Sequence, residues 1–349
     1  DLVSAMIGNA TKAISKEKFN EEIDFLGATI NFYDSGASAS GLSRYSSRIL
    51  ELLADGALNP LFTQADFDAE RAKLIEGLKS DEKSASAIAA RVQNVLTYGK
   101  EHYNGEFTSE ETLKNVTLQD VINHYNTYFV PSNAYLVVIG DVKTKDVKKK
   151  VEQLFGADVW KTASAPNLTY NDPKDLQYSQ INFVDVPNAV QSEIALINLS
   201  KLKMNDKDYF AAILANQILG GGGEGRLFLN LREKHGWTYG SYSNLGASKY
   251  ISKFSSTASV RNAVTDSAVV EIFNELKRIR TDLVSAEDLK NAKAKYIGNF
   301  VMQIEKPATI ARYALNIKTL GLPEDFYENY VKNINAVTPE EIRNAANKY

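Results

Sequence analysis

The sequence predicts an α+β protein built as two homologous domains, and three observations carry that expectation. Amphipathic helical patterns alternate with short apolar strand patterns along almost the whole chain. Between 162 and 176 the periodicity dissolves into Ala, Ser, Pro, Asn and Asp, with Pro166 and Pro173, as an interdomain linker does. An internal repeat also spans that linker. Asn115-Val116-Thr117-Leu118-Gln119-Asp120-Val121 is echoed by Ala336-Val337-Thr338-Pro339-Glu340-Glu341-Ile342. Within one residue of the same register, Ala69-Glu70-Arg71-Ala72-Lys73-Leu74-Ile75 aligns with Asn291-Ala292-Lys293-Ala294-Lys295-Tyr296-Ile297. The expected layout is a first domain over 1–161, a linker over 162–176 and a second domain over 177–349. At 349 residues with 44% hydrophobic positions, the chain can fill two cores.

Taken in order, residues 2–7 form a short apolar helical piece, and Ser15 is a suitable N-cap for a helix through Phe25. Residues 27–33 read as a strand, with 39–45 as its hairpin partner. A helix over 47–58 is stopped by Asn59-Pro60, and another starts near Thr63 and Asp66 and runs past Leu78. Residues 109–129 carry two helices, Thr117 capping the second. After Pro131-Ser132-Asn133 the run 134–140 reads as a buried strand, and 146–155 as a helix whose Lys148, Lys149 and Lys150 form a solvated face. Beyond the linker, strands are expected over 181–186 and 194–200, a helix over 206–219, a strand over 254–260 and helices over 264–279 and 286–305, followed by two final helical pieces. In the register of the repeat Tyr349 corresponds to Tyr128, after which the first copy still has a turn and a strand to come. Both ends are therefore expected to be trimmed relative to a full pair of domains.

Composition narrows the function classes. Charged residues make up 24% and the formal net charge is −3, so neither a nucleic-acid-binding stripe nor a disordered acidic tail is indicated. Nothing approaches eighteen consecutive apolar residues, so no membrane-spanning helix is expected. The first residues lack the basic region of a signal peptide. The absence of cysteine excludes disulfides and thiolate zinc sites. It leaves the compartment open between bacterial periplasm and cytoplasm.

The stretch 220–242 holds the densest chemistry: a glycine run, a short amphipathic helix with Leu227, Phe228 and Leu231 on its apolar face, and Gly236 closing that helix before a strand expected to contain Tyr239. Arg232 and Tyr239 stand at opposite ends of this turn. A guanidinium and a phenol together supply several fixed donors for a carbonyl or a developing oxyanion. The glycine run lacks the Lys-Ser/Thr of a P-loop and reads as a loop at a helix N-terminus.

This stretch resembles the second-half signature of the pitrilysin/insulinase metallopeptidases. The matching strings are Leu219-Gly220-Gly221-Gly222, Arg226-Leu227-Phe228, Leu231-Arg232-Glu233-Lys234 and Gly236-Trp237-Thr238-Tyr239-Gly240. Weaker pieces in the family's order extend the resemblance over nearly the whole chain: Asn59-Pro60-Leu61-Phe62, Glu70-Arg71, Tyr98-Gly99 with His102, Val137-Val138-Ile139-Gly140-Asp141 and Val190-Gln191-Ser192. The resemblance implies two α/β-sandwich domains of the metallopeptidase-half type, each a mostly antiparallel sheet covered by helices. It also implies that Arg232 and Tyr239 bind peptide substrate near a zinc ion.

The family's own zinc motif, His-x-x-Glu-His on a helix, needs two histidines one turn apart and a glutamate as general base. Aligning Ala10-Thr11-Lys12 with the family's Gly-Thr-Lys places that motif on Asp1, Leu2, Val3, Ser4 and Ala5. Asp1 and Ala5 occupy the histidine positions and Ser4 that of the base. The third protein ligand, seven residues after the family's Glu-Arg pair, falls on Gly77. No metal or other cofactor is therefore expected in this chain, and zinc is expected only in a partner subunit. The three histidines, His102, His124 and His235, include no pair at i and i+4, and each reads as a surface or packing residue, with His235 the one near the expected substrate position.

The expected function is that of a zinc-free subunit of a heterodimeric zinc peptidase, inactive alone, which supplies Arg232 and Tyr239 beside the zinc of a homologous partner. The substrate would be a peptide or unfolded polypeptide. The expected partner is the zinc-bearing homologous subunit, or a second copy of the chain in a homodimer, and the alternative function is a non-enzymatic scaffold or peptide-binding protein derived from the same fold. The strand 28–33 resembles the family's substrate-pairing edge strand, but Phe32 stands where active subunits usually carry a small residue.

Overall fold

The computed structural model describes residues 1–349 except Asp175 and Gln177. The expected linker reaches Asp175, and the expected second domain starts at Gln177, so those two positions lie outside the described residues. The rest forms two compact units, one of 1–81 with 108–169 and the other of 82–107 with 170–349.

The first unit opens with α1 (Leu2–Met6) and α2 (Lys16–Leu26), the latter ended by Gly27 in the left-handed conformation that closes a helix without a Cβ penalty. Strands β1 (Thr29–Tyr33) and β2 (Gly36–Ser40) form an antiparallel hairpin, Thr29 opposite Ser40 and Tyr33 opposite Gly36. Helices α3 (Ser46–Leu58) and α4 (Gln64–Asp81) follow. Helix α5 (Ala85–Tyr98), capped by Ser84, belongs to the other unit. The first unit then resumes with α6 (Glu110–Asn115), α7 (Leu118–Tyr128) and α8 (Thr144–Phe155).

Two small cores hold this unit. Leu2, Val3 and Met6 of α1 pack with Phe67, Leu113 and Val121, which joins α1 to α4, α6 and α7. Phe19, Leu26, Ile49 and Leu52 form the second, under the hairpin.

The second unit has a three-stranded antiparallel sheet in the order β3 (Gln191–Ser200), β5 (Ser252–Arg261), β4 (Ser241–Leu245). Between β3 and β4 the chain forms α9 (Tyr209–Gly220) and α10 (Arg226–Phe228), the latter running straight into a π-helical turn, Leu229–Lys234. After β5 come α11 (Thr265–Thr281), α12 (Ala286–Ile304), α13 (Pro307–Thr319), α14 (Tyr330–Ala336) and α15 (Pro339–Lys348). One large core unites α9, the sheet, α11, α12, α14 and α15. Helix α9 is buried almost all round, with Ala211, Ala212, Ile213, Leu214, Ala215, Ile218 and Leu219 shielded, the pattern of a central rather than a surface helix. Helix α5 lies on β3, and Lys253 Nζ of β5 donates to Asn94 Oδ1 of α5 at 2.8 Å.

The paired segments of the expected repeat share local structure. Thr117 and Thr338 each cap a helix through a reciprocal capping box, with Asp120 and Glu341 at the third helical position. The matched segments around Glu70 and Ala292 lie in α4 and α12.

The α+β class stands, with small antiparallel sheets and predominant helix. Several expected elements differ. Residues 134–140 form no strand and pair with none among the described residues, and Tyr135, Leu136, Val138 and Ile139 are exposed. The same holds for 181–186, where Ile181 is 99% exposed. Both runs have the β-branched and aromatic composition of strands, but that composition yields a strand only where a neighbour satisfies its backbone. The hairpin partner of β1 is nearer than expected, because 43–45 is a 3₁₀ turn and the strand ends at Ser40. Tyr239 lies in the bend before β4, not within a strand. Helix α5 was not anticipated.

Candidate functional site

The glycine run is a packing device. Gly222 has φ of +136°, which favours glycine. A Cβ on Gly225 would come within 2.8 Å of Gly220 Cα, and one on Gly220 within 2.4 Å of the Ser243 backbone nitrogen. The loop therefore doubles back tightly on α9 and β4 and delivers α10 against the sheet.

From there the chain inserts an extra residue into the helical turn. His235 N–H donates to Asn230 O at 3.2 Å, the wider spacing of a π-helix, and Trp237 N–H donates to Leu231 O at 3.0 Å. Gly236, at φ of +63°, reverses the chain. Such insertions rotate the residues after them relative to those before, and they recur at functional sites.

The outcome sorts side chains by face. Leu227 and Leu231 are fully buried, while Arg226, Phe228 and Asn230 are nearly so. Arg232 is half exposed; its guanidinium carbon lies 4.8 Å from the centroid of the Phe228 ring, and its Nε lies 3.7 Å from Glu233. Phe228 in turn packs on Tyr242 of β4, ring centroids 5.9 Å apart. Arg232 thus lies over an aromatic platform, which limits its rotamers while leaving its donors open. Tyr239 is 86% exposed. Among the described residues no hydrogen bond joins Arg232 to Tyr239.

Behind this face lies a buried polar layer. The Arg226 side chain is 9% exposed, with Nη2 at 3.3 Å from Asp288 Oδ2 at the start of α12. Asn230 Nδ2 donates to Glu271 Oε2 and Glu275 Oε1 of α11, both at 2.8 Å. The Asn230 amide holds the Glu271 carboxyl below the usual carboxylate range. Arg226 Nε and Nη1, Asn230 Oδ1 and Glu275 Oε2 are buried without hydrogen-bond partners among the described residues. His235 stacks on Trp237 with centroids 4.1 Å apart, a packing role.

In the first unit, the residues at the positions of the zinc motif are brought together only as packing elements. Helix α1, bearing Asp1, Ser4 and Ala5, lies against α4, bearing Gly77. Asp1 is exposed at the start of α1, and Ala5 offers only its backbone carbonyl, which accepts from Asn9 Nδ2 at 2.7 Å. Ser4 Oγ accepts from the Asp34 backbone N–H at 2.9 Å, so the general-base position now ties the β1–β2 turn to α1. Gly77 is exposed, and a Cβ there would meet nothing within 4 Å. Asp1 offers a single exposed carboxylate and Ser4 a hydroxyl engaged by Asp34, while Ala5 and Gly77 offer no side-chain donor, so these four residues do not make up the tetrahedral shell that zinc needs. His102 stacks on Tyr98 at 5.2 Å and accepts the Asn104 N–H, and His124 packs on Tyr128 at 4.7 Å.

A groove of about 240 Å³ runs along β1, lined among others by Ser4, Asn9, Asn20, Asn31, Phe32 and Tyr33. The Phe32 ring fills the space beside it: a Cβ on Gly8 would lie 2.0 Å from Phe32 Cδ2, and one on Gly56 2.2 Å from Phe32 Cζ.

Residues 115–296 match the family described as the peptidase M16 inactive domain. The chain belongs to this family. The M16 chain is 22% identical over 350 residues to the uncharacterized zinc protease YmxG of Bacillus subtilis, covering 97% of this chain and 82% of that protein. It is 24% identical over 247 residues to the probable inactive metalloprotease YmfF of the same organism, covering 71% and 56% respectively. Among solved structures, the peptidase M16 inactive domain from Pseudomonas fluorescens superposes with a TM-score of 0.88 at 22% identity, over 100% of this chain and 84% of that one. At that identity the likeness is one of fold. The pitrilysin/insulinase resemblance is thereby shown, and the M16 chain is a protein of the peptidase fold. Among the described residues no helix is long and apolar enough to cross a membrane.

Sequence reasoning singled out Arg232 and Tyr239 but not the residues packed around the Arg232 turn. Phe228 and Arg232 are four residues apart, a spacing that stacks side chains on a helix. Glu275 stands in the buried stripe of α11 with Ala268, Ile272 and Ile279, a carboxylate where the period calls for an apolar residue. That misfit was the available signal.

Proposed function

We propose that this chain is a zinc-free subunit that binds an extended peptide or unfolded polypeptide through Arg232 and Tyr239 and presents it to a homologous, zinc-bearing partner. The observation that carries the reading is the asymmetry between the two units. The positions aligned with a zinc site hold one carboxylate, Asp1, and no histidine, too few donors for a zinc shell. The Arg232 turn, by contrast, is braced from behind and leaves a guanidinium and a phenol open to solvent.

Arg232 donates to the peptide carbonyl from its aromatic seat, and the Tyr239 hydroxyl supplies a second donor. Donors fixed in advance of binding lose less entropy when the peptide arrives. The metal that activates water belongs to the partner, and the two-domain layout, with a boundary in 162–176, gives each subunit one binding half.

The test is cleavage of a fluorogenic peptide by this chain alone with added zinc, and again after mixing with a homologue from the same organism that retains His-x-x-Glu-His. Cleavage confined to the mixture, and lost with Arg232→Ala or Tyr239→Phe, supports the complementing subunit. Cleavage by this chain alone with zinc overturns it. Silence in both samples, with retained peptide binding, leaves the non-enzymatic scaffold or peptide binder as the function.

A further inference from the structure

We infer that Asn230 is the positioning residue for Arg232, acting through the π-helical turn that α11 clamps. The inference deepens the proposed peptide site and rests on the reading that Arg232 contacts peptide.

Asn230 and Arg232 lie two residues apart in the same turn, on opposite sides of it. Asn230 is 9% exposed and faces α11, while Arg232 projects outward over Phe228. A π-helical insertion is costly in isolation, because its hydrogen bonds are wider and the turn can relax to an ordinary α-helix by slipping one residue. Such a slip would turn Arg232 away from its present direction by about 100°, the angular step of one helical residue. Something must therefore hold the insertion in register.

Asn230 does this with one amide. Its Nδ2 carries two hydrogens, and each has its own carboxylate acceptor, Glu271 and Glu275, spaced one turn apart on α11. No other uncharged side chain of similar size presents two donors from one nitrogen, apart from glutamine, which is a methylene longer. Hydrogen bonds to charged acceptors are the stronger kind, and burial raises the cost of losing them. Four residues earlier, Arg226 pairs with Asp288 of α12, so the segment is pinned to two different helices on its buried side. The groups that would support a slipped register are thus committed, and the exposed side is left to Phe228, Arg232 and Tyr242.

The test measures binding of fluorescein-labelled, reduced and carboxymethylated α-lactalbumin to the full chain by anisotropy, with thermal unfolding recorded for each variant. Asn230→Asp replaces both donors with a third carboxylate. It is expected to weaken binding about tenfold in the wild-type background and by less than about twofold in an Arg232→Ala background, the non-additivity expected of one residue acting through another. Glu271→Gln added to Asn230→Asp returns a donor to the pair and is expected to recover most of the affinity. Should Asn230→Asp fail to fold, Glu271→Gln alone, at a half-exposed position, is read instead, with a two- to threefold loss that likewise disappears with Arg232→Ala. Equal losses in both backgrounds overturn the positioning role. If Arg232→Ala itself leaves binding unchanged, the peptide-site reading fails first, and this outcome is distinct.

Discussion

The Arg232 guanidinium carbon lies 4.8 Å from the centroid of the Phe228 ring. Phe228 is itself buried and backed by Tyr242, so a residue of the core sets the direction of a residue of the surface. Stacking of this kind is worth about 0.5–1 kcal/mol at an exposed site. Phe228→Leu keeps a buried apolar side chain, somewhat smaller, but removes the π face. Its expected effect is a two- to fivefold loss of peptide affinity, with the larger, roughly tenfold, loss reserved for Arg232→Ala. Titration of a labelled unfolded polypeptide checks both. A Phe228→Leu protein that binds as tightly as wild type would show that the platform does not matter.

Tyr239 separates binding from stability. With 86% of its surface exposed, its hydroxyl contributes little to folding, and Tyr239→Phe should leave the unfolding free energy within about 0.5 kcal/mol of wild type. Peptide affinity should nevertheless drop. Urea unfolding and binding measured on the same preparation distinguish a recognition residue from a packed tyrosine.

Gly56 lies within α3, where exchange to alanine would ordinarily stabilise a helix by up to about 1 kcal/mol. Here the added methyl would sit 2.2 Å from Phe32 Cζ. The sign is therefore expected to reverse, with Gly56→Ala destabilising by about 1–3 kcal/mol through overpacking. Combining it with Phe32→Leu should restore part of the loss. A stabilised single variant in chemical denaturation would mean that the ring moves aside freely.

The first unit carries an acid-sensitive network. Arg48 bonds Glu22 at 2.5 Å and Glu51 at 2.8 Å, and Lys150 also bonds Glu51. The Arg48 guanidinium lowers the Glu22 carboxyl, and Lys150 and then Arg48 lower that of Glu51. Because the folded values lie below the unfolded ones, the stabilisation is complete above the unfolded carboxylate range, near 4.3, and is lost as pH falls through the folded values. These side chains are roughly a third exposed, so screening by water keeps the effect modest. Stability measured from pH 6 to pH 3 should decline, and Arg48→Met should flatten the decline. An unchanged slope in that variant assigns the acid sensitivity elsewhere.

Much of the fold was legible in local chemistry. Thr117 announces its helix because a capping box is a contract between residues three apart, and Asn59-Pro60 stops α3 because proline cannot continue a helix. The absence of the family's histidine pair was legible too, since Asp1, Ser4, Ala5 and Gly77 include no imidazole and only Asp1 bears a carboxylate. The runs 134–140 and 181–186 were misread, because their composition is that of strands and pairing partners are not written in a segment's own sequence.

The sequence by itself determined most of the helices, though not α5, and which residue types stand at the Arg232 turn. Only the tertiary structure decided that this turn is a π-helical insertion, that Asn230 reaches two carboxylates of α11, and that Phe228 carries Arg232. The physical reason is range. Caps, turns and periodicity depend on residues a few positions apart, whereas the direction of the Arg232 side chain depends on Glu271 and Glu275, some forty residues further along the chain and adjacent only after the core has formed.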